Sequence, residues 1–250
     1  MKKLTLLLAS FVLFQAMDAQ GLKGLIKNAG KKDSSGNSAI QNVLKSPGKT
    51  GLSNEDIISG LKEALNVGSN NAGQKLSAVD GFFKDAAIKI LMPEEAKKVE
   101  SKLRTLGMGK QVDNAILSMN RAAEDASTKV APIFIAAIKQ INFQDALGIL
   151  KGGDFAATNY LKDKTVASLT EAFRPIIEAS LQKVDATKYW NTMFTTYNKF
   201  STDKVNPDLV AYVTEKALAG VFHQVAQEEQ KIRKDPMART SDILKKVFSN

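Results

Sequence analysis

From Ser53 onward apolar residues return at spacings of three and four, and no run alternates residue by residue between turn signals. That period marks amphipathic helices, whereas a period of two would mark half-buried strands. The first helix opens at Ser53, where Asp56 stands in for the usual Glu or Gln of a capping box. Its stripe is Ile57, Leu61, Ala64, Leu65, Ala72 and Leu76, ending near residue 77. Pro93 ahead of Glu94 and Glu95 places a rigid first turn and two acids at a positive helix end, and this helix runs to about Gly107. Val112, Ile116, Met119 and Ala123 carry the period on to about Val130.

Pro132 opens a nearly uncharged helix over 132–140 that is expected to be central, since an all-round apolar helix must be buried. A short helix from Asn142 to Leu150 stops at Gly152-Gly153. Asp154 is expected to cap a helix from Phe155 to Leu161, and 165–184 follows with a bend at Pro175, which lacks a backbone donor. Asp185 is expected to cap a helix to Phe200. Pro207 is expected to open the longest one, to about Lys234, with a final helix from Ser241 to Phe248. The fold class is therefore all-α, an irregular multi-helix bundle of about nine helices with no fixed-period repeat.

The first 52 residues read differently. Lys2 and Lys3, the apolar run Leu4 to Phe14, and the small residue Ala19 have the layout of a secretory signal, so 1–19 is expected to be a signal peptide cleaved before Gln20. Residues 20–52 hold Lys23, Lys27, Lys31, Lys32, Lys45 and Lys49 against Asp33, a net +5 of the chain's +9. They also hold six of its sixteen glycines, the composition of a flexible tether. The division is a signal peptide (1–19), a flexible basic arm (20–52) and a single all-helical domain (53–250). That domain carries only +3, so the basicity belongs to the arm and nucleic acid is an unfavoured partner.

Composition narrows the chemistry. Hydrophobic residues make up 44%, enough for a core. With no cysteine there is no disulfide framework, thiolate zinc site or cysteine nucleophile. With one histidine, His223, a two- or three-histidine metal centre has no ligands. No apolar stretch after the leader is long enough for a bilayer span. No cofactor and no metal are called for.

Four groups of residues remain as candidates. Asn120, Arg121, Glu124 and Asp125 lie among small apolar neighbours, with Arg121 in reach of Glu124 and Asp125 at helical spacing. They are either a structural clamp or a polar-ligand site. Thr158 and Tyr160 follow Gly152-Gly153-Asp154, where a helix N-terminus would attract an anion unless Asp154 occupies it. Glu228, Glu229, Arg233 and Arg239 close the long helix. Glu229 and Arg233 form an i,i+4 pair there, and Arg239 is within reach of Glu228 or Asp235. Tyr189, Trp190, Phe194 and Tyr197, with Met193 and Phe200, crowd one helix. This is more aromatic surface than one buried face accommodates, and the surplus suits an apolar pocket or a partner interface.

Five ordered stretches carry a family likeness. They are Leu-Ser-Asn-Glu-Asp-Ile-Ile-Ser-Gly-Leu-Lys-Glu-Ala-Leu (52–65), Met-Asn-Arg-Ala-Ala-Glu-Asp-Ala (119–126) and Ala-Ala-Thr-Asn-Tyr-Leu (156–161), then Pro-Asp-Leu-Val-Ala-Tyr-Val-Thr-Glu-Lys-Ala-Leu-Ala-Gly-Val-Phe (207–222) and Glu-Glu-Gln-Lys-Ile-Arg-Lys-Asp-Pro-Met-Ala-Arg (228–239). Together they resemble the family catalogued as domain of unknown function 4197, over roughly residues 50–249. The resemblance implies an exported or envelope-associated bacterial protein and brings no activity or catalytic set with it. The expectation is a periplasmic or envelope-associated, non-enzymatic binding or scaffolding module for an apolar or amphipathic ligand or an envelope protein partner. The alternative is a hydrolase or lyase using a carboxylate/Arg cluster, with Glu124, Glu228 and Arg121 as first suspects.

Overall fold

A computed structural model describes residues 53–200, 208–235 and the scattered positions 202, 204, 237, 239, 241, 245 and 247. The expected leader and basic arm lie outside these residues, as does most of the expected last helix. Helix α1 (Asn54–Ser77) begins as its sequence requires: the Ser53 hydroxyl accepts the Asp56 N–H and the Asp56 carboxylate accepts the Ser53 N–H, each at 3.0 Å. A 3₁₀ turn (Glu94–Ala96) leads into α2 (Lys97–Thr105), which is followed by α3 (Gly109–Ser127), α4 (Val130–Lys139) and α5 (Phe143–Lys151). Three longer elements complete the order: α6 (Ala156–Gln182), α7 (Ala186–Phe200) and α8 (Leu209–Lys234).

Among the described residues there is no strand. Among the described residues the α-helices number eight, or seven if the nearly continuous run Gly109–Lys139 is taken as one rod, against the nine or so expected. The expected last helix lies mostly outside the described residues, and two expected helices are one in α6. Residues 155–161 and 165–184 join into one helix, because exposed Lys162, Asp163 and Lys164 interrupt only its solvent side and the Thr165 hydroxyl donates back to the Leu161 carbonyl at 2.5 Å. Pro175 sits within it.

Helix α6, rather than α4, occupies the centre. It packs against α3, α4, α5, α7 and α8. Apart from Thr158, its buried positions Ala157, Leu161, Thr165, Leu169, Phe173, Ile177 and Leu181 fall at every fourth residue. On a helix of about 3.6 residues per turn that row advances about 40° per step. The buried face therefore winds around α6 and meets different neighbours along its length. Helix α4 buries only Val130, Phe134 and Ile138, leaves Pro132 and Ala136 exposed, and packs chiefly on α1 and α6. Low charge made it apolar without making it central.

Asp208 caps α8, accepting the Ala211 N–H at 2.9 Å, and Pro207, expected to open this helix, lies outside the described residues. Asp185 lies between α6 and α7 with φ 52°, in the left-handed region.

Between α1 and the 3₁₀ turn, residues 78–92 form turns and irregular chain, yet they carry Phe82, Ile88, Ile90 and Met92 into the core. Two glycines make this possible. A Cβ on Gly81 would stand 2.3 Å from the Lys75 carbonyl oxygen. A Cβ on Gly220 of α8 would stand 2.5 Å from Cε1 of the fully buried Phe82 ring. Gly220→Ala therefore forces the ring or α8 aside and is expected to cost about 1–3 kcal/mol of stability. Urea unfolding of the variant beside the parent measures it.

Candidate functional site

The 78–92 segment enters a helical core without a helix's internal hydrogen bonds, and buried backbone groups need partners. Side chains of α3 supply them. Asn120, fully buried, accepts the Ile90 N–H at 2.9 Å and donates to the Ile90 carbonyl at 2.8 Å, pairing with one residue as a strand neighbour would. Glu124, also buried, accepts the Phe82 and Phe83 N–H groups at 3.0 and 3.1 Å on one oxygen, and its other oxygen takes Arg121 at 2.5 Å. Arg121 reaches on to Asp80 at 2.7 Å and lies over the Phe83 ring. It pairs with Glu124 as its spacing predicts. Its second partner is Asp80, while the exposed Asp125 accepts the Ser180 hydroxyl at 2.6 Å. Asn120, Arg121 and Glu124 are a clamp on an irregular segment.

The second polar cluster closes α6. Its N-cap position is Phe155, which has no side-chain cap bond, so the expected cap by Asp154 is not made. Glu229 of α8 takes the place instead. Its two oxygens accept the N–H groups of Ala157 and Thr158 at 3.0 and 2.9 Å and the Thr158 hydroxyl at 2.8 Å. The anion attracted to this helix end belongs to the protein itself. Arg233 pairs with Glu229 at 2.8 Å and donates to the Ile149 carbonyl. Arg239 donates to the carbonyls of Ile232 and Arg233 at the end of α8. Glu228 accepts from Asn71, Gln224 and Lys231. The Tyr160 hydroxyl donates to Asp145 at 3.4 Å, and burial followed by the Asp145 charge pushes it above its ordinary value. A narrow apolar cavity between α1, α5, α6 and α8 is lined by Leu61, Leu65, Leu161 and Val225, and by Ser69, whose buried hydroxyl has no hydrogen-bond partner among the described residues.

A larger open site lies elsewhere, between residues 87–95, Trp190 and α8. It is a groove of about 730 Å³. Ile88, Leu91, Met92, Trp190, Tyr212 and Ala219 give it an apolar wall, and Lys89, Glu94, Glu95, Glu215, Lys216 and His223 supply charged and polar groups. Tyr212 holds the walls together. Its hydroxyl donates to the Leu91 carbonyl at 2.8 Å, and its ring stacks on Trp190 at 6.4 Å and 13°. Burial, with Glu95, Glu215 and Glu94 nearby, pushes the Tyr212 hydroxyl up to about 12.

Trp190 and Phe194 are buried with ring centroids 4.4 Å apart, and Tyr197 is half-buried against Phe194. The aromatic row therefore joins the core and offers Trp190 to the groove. The Tyr189 side chain lies outside the described residues. Exposed His223 stands at the groove's edge, and no cluster among the described residues has a metal-ligand set. The sequence reading missed Tyr212 and the 87–92 wall. Burial alternates there, with Ile88, Ile90 and Met92 inside and Leu91 outside, but Leu91 is itself apolar and the sequence shows no period of two.

A family model described as a protein of unknown function, DUF4197, matches residues 51–249, in keeping with the likeness carried by the five stretches. No curated protein and no solved structure matched the chain.

Two outcomes follow from the clamp. Glu124→Gln weakens the bonds to Phe82 and Phe83 and strands Arg121 beside a neutral amide, so a loss of about 2–3 kcal/mol is expected in chemical denaturation. Asp80 is held below its ordinary 3.8 by hydrogen bonds from Lys84 and then Arg121. At Asp85 burial pushes upward, but the Ala87 N–H and Lys75 outweigh it and the net direction is also down. A carboxyl lowered in the folded state contributes its full stability above pH 3.8 and loses it as pH falls through the folded value. Thermal melts over an acid series should show a shallower fall for Asp80→Asn than for the parent.

Proposed function

The chain belongs to this family of unknown function, DUF4197, and we propose that it is an exported, envelope-associated, non-enzymatic binding module. Its ligand seat is the groove formed by residues 87–95, Trp190 and α8. The single observation carrying this reading is the Tyr212 tie. One residue stacks on Trp190 and bonds the Leu91 carbonyl, so both walls of an open groove are fixed before anything enters it. Preorganised walls reduce the ordering cost of binding. The apolar wall and charged rim match an amphipathic occupant with a carbon chain and a polar head.

The suspected acid–base carboxylates support a binding role over catalysis: Glu124 accepts two backbone N–H groups and Arg121, Glu228 accepts from Asn71, Gln224 and Lys231, and neither lines the groove. Export rests on the leader pattern at 1–19. A basic arm after it would hold the domain near its surroundings.

The test uses Trp190, the chain's single tryptophan, as an in-place probe. Residues 20–250 are titrated with a long-chain fatty acid and with a lysophospholipid. A saturable change in emission is expected with at least one of them. In Ala219→Phe the new ring fills the exposed groove wall while Trp190 stays the single indole, and affinity should fall roughly tenfold or more. An unchanged emission with both amphiphiles, or unchanged affinity in the filled groove, sinks the proposal.

A further inference from the structure

The α2–α3 hairpin carries a feature the groove does not use. Helix α2 has no fully buried residue. Only Val99 and Leu103, on its inner side, pack partly against the core, and α2 rests chiefly on α3 and the 3₁₀ turn. At the tip, Leu106 is 75% exposed and Met108 39%. Two large apolar side chains two positions apart on one exposed turn give a small apolar spot, the kind of surface that marks a contact site when its surroundings suit a partner.

The tip is also rigid. Gly107, with φ +80°, turns the chain, while the Met108 N–H donates to the Leu103 carbonyl at 2.9 Å and the Gly107 N–H to the Arg104 carbonyl at 3.1 Å. This is the Schellman arrangement of a helix C-terminus, so Leu106 and Met108 are displayed from a fixed turn.

Charge says what covers them. Residues 102–110 hold Lys102, Arg104 and Lys110 and no acid, with Glu100 before them and Asp113 after, while Lys97 farther back is already paired with Glu94 at 2.7 Å. Arg104 answers Glu100 and Asp113, at 2.9 and 2.8 Å. Lys102 and Lys110, flanking the apolar turn, are exposed and form no ion pair among the described residues. Apolar residues at a tip with cations around them match an anionic lipid surface, where the alkyl groups sink below the headgroups and the ammonium groups stay at the phosphates. We propose that the Leu106–Met108 tip is a membrane-contact device for anionic phospholipid bilayers. It touches the interface without spanning it, since among the described residues no single helix is long and apolar enough to cross a membrane.

The inference is independent of the groove, whose lining ends at Glu95, before α2 begins. The basic arm would itself attract anionic vesicles, so the readout must belong to the tip. The chain has no cysteine, and Leu106→Cys therefore creates a single thiol for an environment-sensitive fluorophore. Lys183→Cys, at an exposed position beyond α6, serves as the control label. Residues 20–250 carrying either label are mixed with phosphatidylglycerol/phosphatidylcholine vesicles and with phosphatidylcholine alone.

On the anionic vesicles the tip label should brighten and shift to the blue while the control stays constant. The neutral vesicles should give a weaker response. Lys102→Glu and Lys110→Glu, each placed in the tip-labelled chain, should reduce apparent affinity roughly fivefold or more, and added salt should act in the same direction. A tip label that stays unchanged while the protein sediments with vesicles shows the arm at work and overturns the proposal. A blue shift that grows with protein concentration in the absence of lipid assigns the tip to contact between copies, and overturns it equally.

Discussion

A peptide backbone led through a helical core must find its hydrogen bonds from outside itself, and this fold is arranged around meeting that demand at residues 78–92. Asn120 serves both backbone groups of Ile90, and Glu124 serves two consecutive N–H groups at Phe82 and Phe83. With those bonds made, Phe82 reaches the centre of the bundle against Gly220, and Ile88, Ile90 and Met92 follow it inward. The outward side of the same segment then becomes one wall of the groove. Leu91 is presented there because its neighbours at 90 and 92 are buried, and Tyr212 ties its carbonyl to α8. Site and core are two faces of one irregular strip of chain.

The polar clusters divide their labour by location. Arg121 and Glu124 sit over the 80–83 turn, while Glu229 and Arg233 sit over the start of α6 and the end of α5. In both places a carboxylate meets backbone donors and an arginine balances its charge. Such an arrangement is strongly unfavourable to break and only modestly favourable to make, because desolvation offsets much of the attraction. Its effect is to select one placement for each irregular element.

Much of the architecture was legible because periodicity and capping agree. Ser53 with Asp56 begins α1, Gly107 ends the turn after α2, and the Glu229–Arg233 spacing gives the pair that forms. What escaped did so for physical reasons. The Lys162–Lys164 patch looked like a break in α6, although a helix tolerates charge freely on its solvent side. The 78–92 segment has neither helical period nor strand partner, and its partners are isolated side chains, Asn120 and Glu124, that no pattern announces. Tyr212 looked like an ordinary helical aromatic because the carbonyl it holds lies 121 residues away. The clusters at 120–125 and 228–233 were identifiable as polar groups in apolar surroundings. Their targets, backbone donors on distant segments, were not.

The seating of Glu229 on α6 bears on the order in which the polypeptide matures. The bonded residues are 71 and 72 positions apart, so the first turn of the central helix stays unfinished until almost the last helix has been synthesised. A growing chain that has not yet produced residue 229 holds α6 with open N–H groups at one end and little reason to lock. Closure of the central helix at its N-terminal end is a long-range contact, made by a carboxylate from α8 and by no residue beside it.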